Sequence, residues 1–384
     1  MSIAGRCDNV RKKIGEIHLA GESLTFWESV SCPDPEWDNF LFSTGFEHFE
    51  QTSLWGEAKK PEGWKTGRII AIRNNQIVGG FQILYKEKLK FLKFGLLMKG
   101  PVIASDDFIV MKSILNYLKI FIRHKFFAVL VQAPDREDRI TSELRQIGFR
   151  PNFIKWIIKS ANVRINLNLS EDQLFKKMKR QKRQNIQQAQ NAGIVVRQGS
   201  RGELGLFFKL MNTTCQRRGV RPNPSSLRTL EKIWDLFSIR GKIALFFARL
   251  NDIIISALIV IIMGEHVSLW KFGWSGEYPH LRPNELLFWE IIKWAKSAGC
   301  ISADLGPFGT YLLKRGKIYD ARENYLEMQD VRFKTGFGGM IVNLQPGLIH
   351  FSNPLINFLA RTIMPYLANY SLTEKIFYKF IGST

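Results

Sequence analysis

The stretch IALFFARL-ND-IIISALIVIIM fills residues 243–263. Two apolar runs rich in β-branched and aromatic residues, Ile243–Leu250 and Ile253–Met263, flank the dipeptide Asn251-Asp252. Asn and Asp tolerate the left-handed backbone that a two-residue hairpin turn demands, so the stretch reads as a pair of buried strands. Downstream, Val267–Phe272 supplies a third strand. A helix over 284–297 follows, with Leu287, Ile291, Trp294 and Ala295 on one face. Cys300–Leu305 is a closing strand that stops at Gly306-Pro307. The same order occurs about 175 residues earlier. Arg68–Arg73, the turn Asn74-Asn75 and Ile77–Tyr85 form a hairpin, and the basic stretch Lys86–Met98 supplies a third strand. A helix over 106–123 carries Ile109, Leu115, Leu118 and Ile122, and Phe126–Gln132 is a strand ending at Ala133-Pro134. Each half then runs through a helix into Gly-Phe, at Gly148-Phe149 and Gly336-Phe337. Identity between the halves is low but the element order agrees, which predicts an internal duplication of one α/β unit. The competing reading is an α/β chain whose elements merely alternate.

The composition fits that size of core. Of 384 residues 45% are hydrophobic and 23% charged, which excludes a disordered chain. Cys7, Cys32, Cys215 and Cys300 lie far apart, so neither a zinc ribbon nor a disulfide scaffold is expected. No apolar run approaches the ~20 residues of a membrane span. Met1–Ala20 is polar and basic, without the apolar centre of an export signal, and a cytoplasmic chain is expected. A net charge of +21 calls for a partner that carries negative charge: nucleic acid, an anionic membrane surface or a phosphorylated substrate. A merely solvated positive face is the plainer alternative.

The charge concentrates between the halves. Ser170 and Gln173 form a capping box that opens a helix over 171–192, stopped by Gly193. Lys176, Lys177, Lys179, Arg180, Lys182 and Arg183 are spread over nearly every face of it, and Leu174, Met178, Ile186 and Ala189 leave only a thin apolar stripe. Lys176, Lys179, Arg180 and Arg183 are the expected contacts to RNA or another anion, against a helix that is simply solvated. Beyond Pro346, the amphipathic segments Leu355–Leu367 and Leu372–Ile381 either pack back onto the first domain or lie on a membrane interface. GxGxxG, Walker, GxSxG and HExxH signatures are missing, the six histidines are scattered, and no metal is called for.

Residues 49–59, FEQTSLWGEAK, carry the pattern F-x-Q-x-x-x-W-x-x-x-K. Further along come Lys99-Gly100-Pro101-Val102 and Arg183-x-x-Ile186-x-x-Ala189-x-x-x-Gly193-Ile194-x-Val196, then Arg217-Arg218-Gly219. Trp270-x-Phe272-x-x-Ser275 precedes the helix beginning Pro283-Asn284-Glu285, and Asp304-Leu305-Gly306 and Phe333-Lys334 complete the series. In this order, from about residue 45 to 345, they resemble the Fem family of aminoacyl-tRNA-dependent transferases that build peptidoglycan interpeptide bridges. The resemblance implies an α/β (α+β) fold of two tandem GNAT-like acyltransferase domains with mixed sheets and no coiled-coil arm. The first would span 1–160, completed by C-terminal helices over 346–384, and the second 161–345 with the basic helix.

The resemblance also implies roles. Lys59 and Arg217 would hold the diphosphate of a nucleotide- or lipid-linked peptide precursor, two cations on one dianion. Gln51, Trp55, Trp270, Phe272, Ser275, Asp304 and Phe333 would line the substrate site. Lys334 would place positive charge at the transfer centre. Where the family has an aspartate before proline, this chain has Ala133, and Asp135, one step beyond Pro134, is the nearest acid and the candidate catalytic base. Trp270 and Phe272 stand where tyrosines are commoner. The implied reaction moves an amino acid from aminoacyl-tRNA to an amine of a peptidoglycan precursor, without a cofactor, in a monomer that is cytoplasmic or peripheral at the inner membrane surface. The alternatives are an acyl-CoA-dependent N-acyltransferase acting on an envelope or polysaccharide amine, and a non-catalytic RNA- or membrane-binding protein.

Overall fold

Asn74 and Asn75 both take left-handed backbone, with φ of 51° and 59°, and so turn the strand Lys65–Arg73 into Gln76–Lys88 in the register Arg73↔Gln76. This hairpin anchors the first of two sheets in a computed structural model that describes residues 11–19, 22–30, 33–88, 92–104, 107–135, 137–152, 158–159, 161–308 and 325–362. The chain divides into two units. The first takes the described residues up to 158 and from 345 onward, the second those from 159 to 344.

In the first unit the strand order is Arg11–Leu19, Glu22–Ser29, Lys65–Arg73, Gln76–Lys88, Leu92–Met98, Ala128–Gln132, Leu348–Phe351, Arg150–Pro151, and Val102–Ile103 pairs with Gln76–Lys88. Leu92–Met98 and Ala128–Gln132 run parallel, as a connection through a helix requires. That helix, Phe108–Lys125, starts where the Asp107 carboxylate accepts from the amides of Ile109 and Val110. Its buried face, including Ile114, Leu118 and Ile122, packs with Phe26, Ile69 and Phe81 from the sheet. The basic stretch after Tyr85 divides differently from the expectation: the second hairpin strand runs on to Lys88, and the third strand begins at Leu92.

The second unit repeats the arrangement. Its order is Ile194–Gly199, Ile243–Leu250, Ile253–Met263, His266–Trp274, Ser302–Phe308, Ala161–Asn166, Met340–Asn343. Asn251 turns the hairpin with φ 52°. His266–Trp274 and Ser302–Phe308 are the parallel pair, joined through the helix Pro283–Ser297, whose Leu287, Ile291 and Ala295 are fully buried. Strands covered by helices in this way are apolar along their length, which is why Ile253–Met263 shows so little alternation.

One correction follows. The basic segment is not one helix over 171–192. It is Glu171–Lys177, opened by the Ser170–Gln173 capping box, and then Arg180–Asn191. Met178 and Lys179 between them are extended, with ψ of 150° and 141°. The bend buries Met178 in the core, and Arg183 caps the broken end by donating from Nη1 to the Lys176 carbonyl at 3.1 Å and to that of Met178. Of the segment expected over Leu355–Leu367, the described part lies in the helix Pro354–Thr362, on which Leu355 and Phe358 are exposed, and the rest lies outside the described residues. Leu372–Ile381 lies outside the described residues. Among those residues no helix is long and apolar enough to cross a membrane.

Candidate functional site

In the first unit the F-x-Q-x-x-x-W-x-x-x-K segment forms a short helical hook, with the helix Ser53–Ala58 capped by Thr52 Oγ1 at the Trp55 amide. Gln51 is wholly buried and acts as its peg. Its Nε2 donates to the Met98 carbonyl at 2.7 Å and the Gln82 carbonyl at 3.2 Å, and its Oε1 accepts from the Gln82 amide at 2.8 Å. The peg fixes Trp55, which meets Phe49 edge-on at 4.8 Å, and Trp55 in turn lies 5.5 Å from the Lys59 ammonium. Lys59 is only 4% exposed and ion-paired with Glu62. Burial pushes its ammonium below the ordinary lysine range, against the opposing pull of Glu62. Asp135, in the same unit, is held by Lys99 and His48. Its Oδ1 accepts from Lys99 Nζ at 2.5 Å, and its Oδ2 is 3.8 Å from His48 Nε2. It lies on the wall of a cavity of about 390 Å³ that Phe46, His48, Val102, Pro134 and Ile140 also line.

In the second unit Arg217 closes the helix Leu204–Arg217. Its Nη2 donates to the Trp274 carbonyl at 2.8 Å, and its guanidinium lies 4.7 Å from the centre of the Trp274 ring. Partial desolvation, with Arg218 adjacent, lowers its affinity for its proton. Ser275 follows on the same strand end, its Oγ accepting from the Glu277 amide at 3.1 Å. The Trp270 ring lies 5.2 Å from the ammonium of Lys271, and Phe272 meets Phe288 edge-on at 5.9 Å. Asp304 forks with Arg164, at 2.7 and 3.1 Å, across neighbouring strands. Its carboxylate thus carries an internal pair in addition to whatever substrate role the family resemblance implies.

Lys334 stands on the last turn of the helix Tyr325–Thr335, 8% exposed. Its Nζ donates to Asp330 Oδ2 at 2.7 Å and to the Gly306 carbonyl at 3.1 Å. Gly306 has φ 94°, and a Cβ there would stand 3.4 Å from that ammonium, so the close approach favours glycine. Phe333 meets Phe288 and Phe337 edge-on at 5.0 and 5.4 Å.

Of the basic positions, Lys176, Lys179 and Arg180 are exposed. Arg183 turns back to cap its neighbour, and Lys182 is buried. The Lys182 ammonium sits 3.7 Å from the Phe333 ring centre, 4.7 Å from that of Phe337 and 3.4 Å from Glu285 Oε1. Burial lowers its pKa to about 8, with Glu285 opposing. Sequence reasoning counted Lys182 among the anion-contacting cations of the basic helix, which its burial contradicts, and assigned no role to Glu285, Trp274, Glu62 or Asp330. The spacing of Asp330 to Lys334, one helical turn, was a usable signal. The Lys182–Glu285 pair, 103 residues apart, left none.

Each unit thus has an antiparallel hairpin leading to a helix-bridged parallel pair. Residues 176–325 match the acetyltransferase (GNAT) domain, and the fold is a tandem GNAT-like one. Residues 32–148 match the FemAB family. A lipid II:glycine glycyltransferase of Staphylococcus epidermidis is 26% identical over 236 residues, 58% of this chain and 56% of that protein. The one from Staphylococcus aureus strain MRSA252 is 25% identical, covering 58% and 55%. The chain therefore spans little more than half the length of the curated relatives it matches. Among solved structures, FemX superposes with a TM-score of 0.70 at 18% identity, covering 87% of this chain and all of that one. L-PGS from Bacillus licheniformis superposes with a TM-score of 0.51 at 14% identity, covering 87% and 98%.

Proposed function

We propose that the chain is an aminoacyltransferase that extends an amine of a peptidoglycan-precursor peptide, with aminoacyl-tRNA as donor. The observation that carries this reading is the 26% identity to a protein named for glycyl transfer to lipid II. In the reaction the neutral amine attacks the ester carbonyl, a C–N bond forms, and the C–O bond to the terminal ribose breaks. The amine nitrogen gives up one proton and the ribose oxygen takes one, so no redox partner is needed. The donor is already activated, and the protein's main task is to align two reactants. Lys334 is suited to stabilise the oxyanion of the tetrahedral intermediate, because its ammonium is fixed in a protein interior where such contacts are strong. Lys59 and Arg217, each within its own unit, are cations suited by the family resemblance to a phosphate of the acceptor, and Lys176, Lys179 and Arg180 to the RNA. This reading places the chain in the cytoplasm, at the inner membrane surface when its acceptor is lipid-linked.

The test is transfer of a labelled amino acid to lipid II and to its nucleotide-linked precursor, with charged tRNAs and acyl-CoAs as competing donors, with and without RNase. RNase-sensitive transfer to the precursor is expected. RNase-insensitive transfer from acyl-CoA alone would replace this reading with an N-acyltransferase.

A further inference from the structure

We propose that Lys182 is a positioning residue for Lys334: its buried ammonium, held between the Glu285 carboxylate and the rings of Phe333 and Phe337, seats the helix end that presents the Lys334 charge. The inference rests on the transferase reading above for what Lys334 does, but not for the seating itself.

Three contacts define the seat. The extended break between the two basic helices brings the Lys179 amide to the Gly336 carbonyl at 2.9 Å. Gly336 lies so close to the Lys182 side chain that a Cβ would come within 2.9 Å of its Cε. Phe333 and Phe337, either side of Lys334, both turn a ring to the same ammonium. Glu285 is held in turn by Asn185, whose Nδ2 donates to Oε1 at 3.0 Å. A lysine on this helix that only solvated the protein would point outward, as Arg180 does. This one is 7% exposed.

The energetics separate function from stability. Charged groups facing Lys182 are Glu285 and Arg282, from the helix Pro283–Ser297 and its lead-in, and Lys179 from its own segment. On the helix Tyr325–Thr335, Asp330 and Lys334 are paired with each other. Glu285 does not fully offset burial, and the pKa falls to about 8 from the ordinary 10.5. The fold therefore disfavours the charged form, and stability should rise, not fall, as pH passes from about 8 to 10.5. A charge kept at a cost to stability is explained by what it orients.

The experiment follows lysine 13Cε signals by NMR against pH, with those of Lys182 and Lys334 assigned from single-site variants, alongside the pH dependence of kcat. The Lys334 signal should show an inflection at the titration of Lys182, and kcat should have an alkaline limb near pH 8. Glu285→Gln, which removes the opposing charge, should move both to lower pH. The paired replacement Lys182→Met with Glu285→Gln leaves no unpaired charge, and should match or exceed the wild-type Tm while kcat falls at least tenfold with KM little changed. A Lys334 signal indifferent to the titration of Lys182 overturns the seating, whatever the activity. Seating intact but kcat unchanged in the paired variant overturns its link to the reaction. Absence of any transfer by the wild type overturns the transferase reading and leaves the NMR result standing.

Discussion

Lys334 and Asp330 sit one turn apart on a single helix, and the ammonium of the first donates to the carboxylate of the second at 2.7 Å while also donating to the Gly306 carbonyl. Two acceptors from different elements fix the charge along a defined direction. Lys334→Ala should lower kcat by ~10²–10³, about 2.7–4 kcal/mol, with circular dichroism unchanged. Lys334→Arg should recover only part of the rate, because a planar guanidinium cannot place its charge where the compact ammonium does. Asp330→Asn keeps an amide oxygen as acceptor beside the Gly306 carbonyl but removes the carboxylate charge, and should cost less than Lys334→Ala. Near-normal turnover of Lys334→Ala would put the transfer centre elsewhere.

Lys59 and Glu62 are a nearly buried pair, with side chains 4% and 7% exposed. Lys59→Ala alone strands the Glu62 carboxylate, and breaking such a pair typically costs about 3–5 kcal/mol. Its effect on kinetics would therefore be mixed with unfolding. Lys59→Met combined with Glu62→Gln should restore most of the Tm, yet leave KM for a diphosphate-linked acceptor raised about tenfold or more with kcat little changed. Recovery of KM together with Tm would show that Lys59 is structural only. Arg217→Ala, at an exposed position, should raise KM without the stability loss.

Arg183 and its neighbours should separate in the same way. Arg183→Ala removes the cap on the helix Glu171–Lys177 and should destabilise by about 1 kcal/mol, read from denaturant midpoints. Reversing Lys176, Lys179 and Arg180, all exposed, should leave the midpoint within about 0.5 kcal/mol. The same reversals should weaken tRNA binding and flatten its log–log salt slope by about 0.7–0.9 per lost phosphate contact. An unchanged slope would mean that these cations are only solvated.

His350 lies in the strand Leu348–Phe351, 4% exposed, with its ring 4.8 Å from that of Phe149. Burial, and the positive charges of Lys119, Arg123 and Arg150, lower its pKa to about 4 from the ordinary 6.5. The fold holds it neutral while the unfolded chain protonates first. Its contribution is intact above about pH 6.5 and is lost as pH falls toward 4, amounting to roughly 3 kcal/mol. His350→Phe should flatten the stability curve between those pH values, checked by denaturation at pH 7 and pH 4.5. An equal acid loss in wild type and variant would assign it to other groups.

What the sequence made legible was what local chemistry decides. The Asn-Asn and Asn-Asp turns, the capping box at Ser170 and the apolar faces of the two bridging helices all lie where the pattern put them. The break at Met178-Lys179 was not legible, because no Gly or Pro marks it. It is imposed by burying Met178 and by a hydrogen bond to Gly336, far along the chain. The hairpin Arg11–Leu19 with Glu22–Ser29 was missed because its first strand is basic and only partly buried. Among site residues, motif spacing brought out Lys59, Arg217 and Lys334. The one-turn spacing left a signal for the tie of Lys334 to Asp330, but motif spacing could not reveal that Lys59 is paired with Glu62 or that Arg217 is stacked on Trp274.

The strand Leu348–Phe351 lies between Ala128–Gln132 and Arg150–Pro151, pairing Ala128 with Phe351. The first unit's sheet is therefore interrupted until one of the last described strands has been synthesised. Among the described residues, the second unit draws its strands from 161–343 and has no such wait. On the ribosome, where chains generally fold from the N-terminal side, the order is reversed: the later-encoded unit can close first, while Ala128–Gln132 remains an open edge able to pair with the wrong partner. A released chain truncated just before residue 348 should thus yield a protease-resistant fragment from the second unit and a sensitive one from the first.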